Sequence, residues 1–100
     1  MMSTDVRFEL NGDAFVWHAE KARKNVLKHS FRFEDAAAVF FDPMFVLMRA
    51  SRNDEAREAA VGFDAIGRLL YVVHIEIDGD AIRIISARRA ELHEEKIYVD

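Results

Sequence analysis

Arginines at 57, 83, 88 and 89, lysines at 21, 24 and 28, and two acid–base side chains, His29 and Glu55, are the residues of this chain equipped for chemistry on a phosphate ester. Arginine presents a planar fork of donors that can hold a phosphate through two bonds, whereas lysine acts as a point charge. His29 titrates near neutrality, so it can take or give a proton at pH 7; Glu55 needs a raised pKa or acts only by orienting a partner. Each residue also has a structural role open to it. Glu55 and Arg57 can pair with each other, the lysines can be a solvated helix face, and His29 can be a favourable charge at a helix C-terminus. Arg83 and Arg88 lie five positions apart, which sends them to opposite faces of a regular strand. Spacing therefore groups Arg83 with Arg89, and either a bulge near Ser86 or the strand end at Ala87 can bring Arg88 round.

The elements that position these residues follow from periodicity. Val6 to Leu10 and Ala14 to Trp17 flank Asn11-Gly12-Asp13, and Asn-Gly is a strong hairpin signal because both residues tolerate positive φ. Ala19, Ala22, Val26 and Leu27 form an apolar stripe, which predicts a helix of about three turns with Lys21, Lys24, Asn25 and Lys28 on its other side. Ser30 is a candidate N-cap for a second helix built on Phe33, Ala36, Ala37 and Phe40, which Asp42-Pro43 ends near Phe41. Met44 to Met48 reads as a short buried strand or an apolar edge. A polar loop then leads to a strand over 57–63, although Asp54 to Ala60 has helix propensity of its own. Arg68 to Ile77 and Ala81 to Ala87 are rich in β-branched residues and joined through Asp78-Gly79-Asp80, which predicts a meander. Ala90 to Tyr98 is a short terminal helix. The sum is one α+β domain over 1–100, with two helices packed on a small antiparallel sheet and a short C-terminal helix.

Trp17, Phe31, Phe33, Phe40, Phe41, Phe45 and Phe63 sit among aliphatic residues and are read as core. His74 lies within the apolar run Leu70 to Ile77 and is read as a packed histidine; His18 and His93 form no metal-ligand spacing with it. Tyr98, at the exposed end of the last helix, either anchors that helix or hydrogen-bonds a ligand.

Composition narrows the class. At 51% apolar and 32% charged residues, with one proline and four glycines, the chain is expected to fold rather than remain disordered. The sequence has no apolar run near the roughly 20 residues needed to cross a bilayer and no signal-peptide pattern, so a cytoplasmic protein with no membrane association is expected. Zero cysteines exclude a disulfide framework and a thiol nucleophile. The net charge of −4 argues against a generic nucleic-acid binder, but its distribution matters more. Between His18 and Ser30, Glu20 stands against Lys21, Arg23, Lys24 and Lys28, leaving that segment at +3 and the rest of the chain at −7. Positive potential is thus concentrated in one predicted helix.

The run from Ala81 to Tyr98, AIRIISARRAELHEEKIY, together with Phe15-Val16-Trp17, Lys21, Asn25 and Lys28-His29, resembles the BrnT family of bacterial toxins. Glu55, Arg57 and Val61-Gly62 resemble that family's Glu-x-Arg-x-x-x-Gly segment, with the glycine one position later here. The resemblance covers residues 15–98 and leaves 1–12 as an extension whose strand can pair beside the first family strand. It implies a RelE-like fold and a metal-independent endoribonuclease, without cofactor, that cleaves mRNA and slows translation. The implied partner is a BrnA-type ribbon-helix-helix antitoxin that contacts DNA itself, in a toxin–antitoxin heterotetramer. In such a reaction a base removes the ribose 2′-hydroxyl proton, cations stabilise the phosphorane and an acid protonates the leaving oxygen. Glu55, Arg57, Arg83 and His29 are the catalytic candidates. Lys21, Lys24, Asn25, Lys28, Arg88, Arg89 and Tyr98 are the RNA-binding ones.

Three residues depart from the family pattern: His18 replaces a common aspartate, Ser30 a glycine and Glu58 an aromatic. Glu58 places negative charge beside Arg57. This motivates a second reading, a weakened toxin that survives as a non-catalytic, antitoxin-binding co-repressor. A third, an unrelated interaction domain, predicts no antitoxin gene next to this one.

Overall fold

Asn11 and Gly12 both take positive φ, 52° and 86°, and close a two-residue hairpin between β1 (Asp5–Leu10) and β2 (Asp13–His18). Primed turns of this kind match the twist of the strands they join. Val6, Phe8 and Leu10 pack on the core while Arg7 and Glu9 alternate outward. The structure, a computed structural model, describes residues 4–50, 57–77 and 79–99. From β2 the chain enters α1 (Ala19–His29), α2 (Phe33–Ala37) and a 3₁₀ turn over 38–41. It continues through β3 (Val46–Arg49), β4 (Glu58–Phe63), β5 (Leu69–Ile77) and β6 (Ala81–Arg89) to α3 (Leu92–Val99). No helix of the described residues is long and apolar enough to cross a membrane.

The expected small antiparallel sheet is corrected. Six strands form one mixed sheet in the order β1-β2-β6-β5-β4-β3, with β2 and β6 parallel through Ala14–Ala81, Phe15–Ile82 and Val16–Arg83. The meander from β3 to β6 is antiparallel as expected, but it returns beside β2 after a long excursion, which a parallel neighbour requires. The described residues form three α-helices, with α1 and α2 against one sheet face and the C-terminal α3 across the other. α2 is a single turn that tightens into the 3₁₀ segment before Asp42, whose extended geometry (ψ 115°) precedes Pro43.

The core lies between the sheet and the first two helices. Trp17 packs edge-on against Phe33 (5.7 Å between centroids), with Phe15, Phe31, Leu70, Val72, Ile84 and Ala87 in the same buried cluster. Most predicted core aromatics belong to it or pack on it; Phe63 instead faces α3. His74 is packed as read, its Nδ1 3.1 Å from the Val72 carbonyl, which fixes Nδ1 as the donor, and its ring edge-on to Phe40. Gly62 permits a close approach of the chain before β3: a Cβ there would lie 2.9 Å from the Phe45 Cβ.

The inward face of α1 also differs from the sequence reading. Val26 and Leu27 are exposed at 41% and 73%, whereas Asn25 is 6% exposed. Its Nδ2 donates to the carbonyls of Phe31 and Ala87, both at 2.9 Å, and its Oδ1 accepts from the Ala87 N–H at 3.0 Å. Parallel pairing with β2 stops at Arg83, so beyond it the amide of Asn25 serves β6 in place of a neighbouring strand. At the helix start, His18 is the N-cap and its Nδ1 accepts from the Glu20 N–H at 3.2 Å, doing the work of an aspartate. Ser30 does not cap α2; it closes α1 in the left-handed region (φ 67°), donating its N–H to the Val26 carbonyl.

Two outcomes are expected. Asn25→Ala orphans three buried backbone groups and destabilises the protein by about 2–4 kcal/mol in urea unfolding. Ser30→Gly relieves the left-handed residue and stabilises it by roughly 0.5–1 kcal/mol, measured as a raised midpoint.

Candidate functional site

The face of the sheet turned away from α1 and α2 carries Arg83 and Arg88, and an irregularity in β6 puts them there together. Val73 pairs with Ser86 and His74 with Ile84, so Ile85 is an extra residue without a partner on β5. Arg83, Ser86 and Arg88 stand opposite Ile75, Val73 and Tyr71, alternate residues of β5 that share one face. The grouping of Arg83 with Arg89 is thereby corrected: Arg89 is opposite Leu70, on the helix side, with its guanidinium 5.8 Å from the Phe31 ring.

Arg57 immediately precedes β4, one step beyond the Glu58–His74 pair and therefore level with Ile75. Register thus lays Arg57, Ile75 and Arg83 in one row across β4, β5 and β6. Arg57, Glu58 and Ile75 line a depression of about 460 Å³ that also reaches Arg49 and Met48. Arg83 donates from both terminal nitrogens to Asp5, at 3.3 and 2.9 Å, and these bonds hold the Asp5 carboxyl below its usual range. Glu55 lies outside the described residues.

A second cluster surrounds the C-terminus of α1. Lys28, His29, Arg68, Arg88 and Arg89 line a cleft of about 590 Å³ with Phe31 at its back. Arg88 and Arg83 stand opposite residues four apart on β5, so about 13 Å of strand separates this cleft from the first row. Two of its cations are tied down. Arg88 binds Glu94 through two 2.8 Å bonds and stacks on Tyr71 at 4.1 Å; Arg68 binds Asp64 at 2.7 Å and lies 4.8 Å over Phe31. Burial pushes the Glu94 carboxyl up, but the bonds from Arg88 and the Glu91 N–H outweigh it and hold the group below the carboxylate range. Lys28 and Arg89 have no carboxylate partner among the described residues. Burial lowers the His29 pKa, and the nearby charges of Lys28 and Arg88 lower it further, so its ring is neutral at pH 7 and able to accept a proton.

The remaining candidates divide. Lys21, Lys24 and Lys28 are exposed at i, i+3 and i+7 on one side of α1, while Arg23 is neutralised by Glu20. Asn25 is spent on backbone groups. Tyr98 anchors α3: its hydroxyl donates to Asp42 Oδ2 at 2.8 Å and its ring meets Phe63 edge-on at 5.2 Å. Asp42, which sequence reasoning passed over, also accepts from the N–H groups of Phe63 and Met44, and these bonds overcome its burial to lower its pKa. Arg68 was likewise missed; only its position before β5 marks it. Glu91, His93 and Glu94 bring ligand-type atoms within 4.8 Å of one another, but Glu94 is committed to Arg88.

The sequence model of the family described as "Ribonuclease toxin, BrnT, of type II toxin-antitoxin system" matches residues 17–94. The chain belongs to the BrnT family. It is thus a BrnT-type toxin component of a toxin–antitoxin pair, with the RelE-like fold that its sequence resembles. The crystal structure of the Brucella abortus ribonuclease toxin BrnT is similar at a TM-score of 0.59 and 22% identity, covering 75% of this chain and 92% of that one. That likeness concerns the fold. No curated protein sequence matches the chain. β1 and the first four residues of β2 lie outside the BrnT family match.

The cleft gives a pH prediction. A histidine whose folded pKa is lowered leaves stability undiminished above the unfolded value, and stability falls as pH drops below it. NMR titration is expected to place the His29 midpoint below 6.5, and His29→Gln to lose less stability than the parent between pH 7 and 5.5. A midpoint at or above 6.5 would show that the helix terminus dominates instead.

Proposed function

We propose that this BrnT protein is an endoribonuclease that cleaves mRNA without a metal ion and is neutralised by a BrnA-type ribbon-helix-helix antitoxin. The observation that carries this reading is the strand register that sets Arg83 opposite Ile75 and brings Arg57 level with it, with Arg57 and Ile75 lining one depression. Cations so placed can hold a scissile phosphate and stabilise its trigonal-bipyramidal state. Glu55, two residues before Arg57 in the sequence, is the candidate base. His29, neutral and about 13 Å along the strands, acts on the flanking backbone or, if the RNA turns into the cleft, as a second proton carrier. Lys28, Arg89, Lys21 and Lys24 hold the flanking phosphates; Arg88, Asn25 and Tyr98 support the architecture around them. The antitoxin would contact DNA and carry the toxin with it in a heterotetramer.

A specific set of contacts favours the alternative, a non-catalytic co-repressor. Glu58 sits half-exposed beside Arg57, and the forks of Arg83 and Arg88 are both occupied by carboxylates.

Induced expression separates the two. Growth arrest relieved by the adjacent antitoxin gene, with RNA cleavage reduced about 10²–10³-fold in Arg57→Ala and in Arg83→Ala, is the expected result. Unchanged growth with soluble protein present supports the co-repressor.

A further inference from the structure

Arg83 is the phosphate-binding candidate best fixed by the sheet, yet its end-on fork is already filled. Both terminal nitrogens donate to the two oxygens of Asp5, a residue 78 positions away in sequence. The carboxylate reaches this place on a rigid carrier. β1 pairs along its whole length with β2, Val6, Phe8 and Leu10 are packed on the core, Phe8 lies 5.7 Å from Trp17, and the Ala19 N–H donates to the carbonyl of Thr4 just before Asp5. Asp5 pairs with His18 and Arg7 with Val16, so Asp5 and Arg7 share the open face with Arg83.

A carboxylate and a phosphate present similar pairs of anionic oxygens to a guanidinium, and one end-on fork holds one of them at a time. β1 lies outside the region matched by the family and Arg83 inside it, so this contact ties the N-terminal strand to the matched domain. We propose that Asp5 is a built-in competitor for RNA, occupying on Arg83 the position that a substrate phosphate takes. The inference rests on the reading of Arg83 as a phosphate ligand. The competitor is weak by construction: the Asp5 side chain is 54% exposed and that of Arg83 27%, so the pair is screened by water and salt and yields to a phosphate that other cations also hold. Its effect is to raise the RNA concentration at which the site fills, without closing it.

The test uses the full chain and a fluorescent single-stranded RNA, 2′-O-methylated throughout so that the 2′-oxygen cannot attack. Binding is followed by anisotropy at low salt. Asp5→Asn keeps the size of an exposed side chain and is expected to bind RNA about two- to five-fold more tightly. The gain should vanish in the Arg83→Ala background, so that the double variant equals Arg83→Ala alone. Glu9→Gln removes the same charge from the same strand and should gain less than Asp5→Asn, because Glu9 pairs with Arg7 and not with Arg83. No tightening in Asp5→Asn, a gain no larger than that of Glu9→Gln, or one that persists without Arg83 overturns the proposal. Failure of the underlying reading looks different: Arg83→Ala then binds RNA as well as the parent does.

Discussion

Strand β6 holds one residue more than its partner needs, and both the charged face and the attachment of α1 depend on how that residue is absorbed. Ile85 stands unpaired between Ile84 and Ser86, so the inward positions of β6 fall at Ile84 and Ala87, three apart rather than two. Without the extra residue, Arg83 and Arg88 would leave opposite faces of the sheet, and one of them would face the packed helices. With it, Arg83 and Arg88 share the solvent side, Arg88 can stack on Tyr71, and Ala87 turns its backbone toward Asn25. The bulge and the Asn25 clamp are therefore coupled. The edge of β6 that leaves β2 after Arg83 needs a partner for its buried N–H and carbonyl, and a side-chain amide carries the same donor and acceptor as a peptide unit.

The charge balance follows from the same geometry. A chain of net charge −4 is a poor candidate for RNA on the sum alone. Several of its carboxylates, however, are committed to particular arginines: Asp5 to Arg83, Glu20 to Arg23, Asp64 to Arg68 and Glu94 to Arg88. Lys21, Lys24, Lys28 and Arg89 are left without carboxylate partners among the described residues, along α1 and at the cleft it ends in. Such local potential attracts a polyanion even where the net charge does not. The pair of Glu94 and Arg88 plays a different part, fixing α3 to the sheet; removing Arg88 would strand the buried Glu94 carboxylate.

Local signals made much of the fold legible. Asn11-Gly12 gave away the hairpin, Asp42-Pro43 the end of the helical segment, and β-branched runs the meander. The parallel pairing of β2 with β6 left no local trace, because it joins residues more than sixty positions apart. The face of α1 was misread because periodicity scores Val26 and Leu27 as apolar and Asn25 as polar, whereas an amide with three backbone partners is at home in a core. Ser30 was misread for a related reason: serine is a common N-cap, and its left-handed conformation emerges only from the geometry of the turn. At the site, alternation argued for Arg83 with Arg89, and the bulge that reverses this has no residue signature in Ile84-Ile85-Ser86. The Asp5 contact depends on the placement of a strand that lies outside the family match.

The central claim is that a row of cations on the open sheet face, aligned by the bulge in β6, receives the RNA phosphate. A crystal structure of the chain with a short 2′-O-methylated RNA tests it most directly. The account predicts one phosphate within hydrogen-bond reach of both Arg57 and Arg83, with the strand running toward Lys28 and Arg89. RNA seated elsewhere, with neither Arg57 nor Arg83 contacting phosphate, would contradict it.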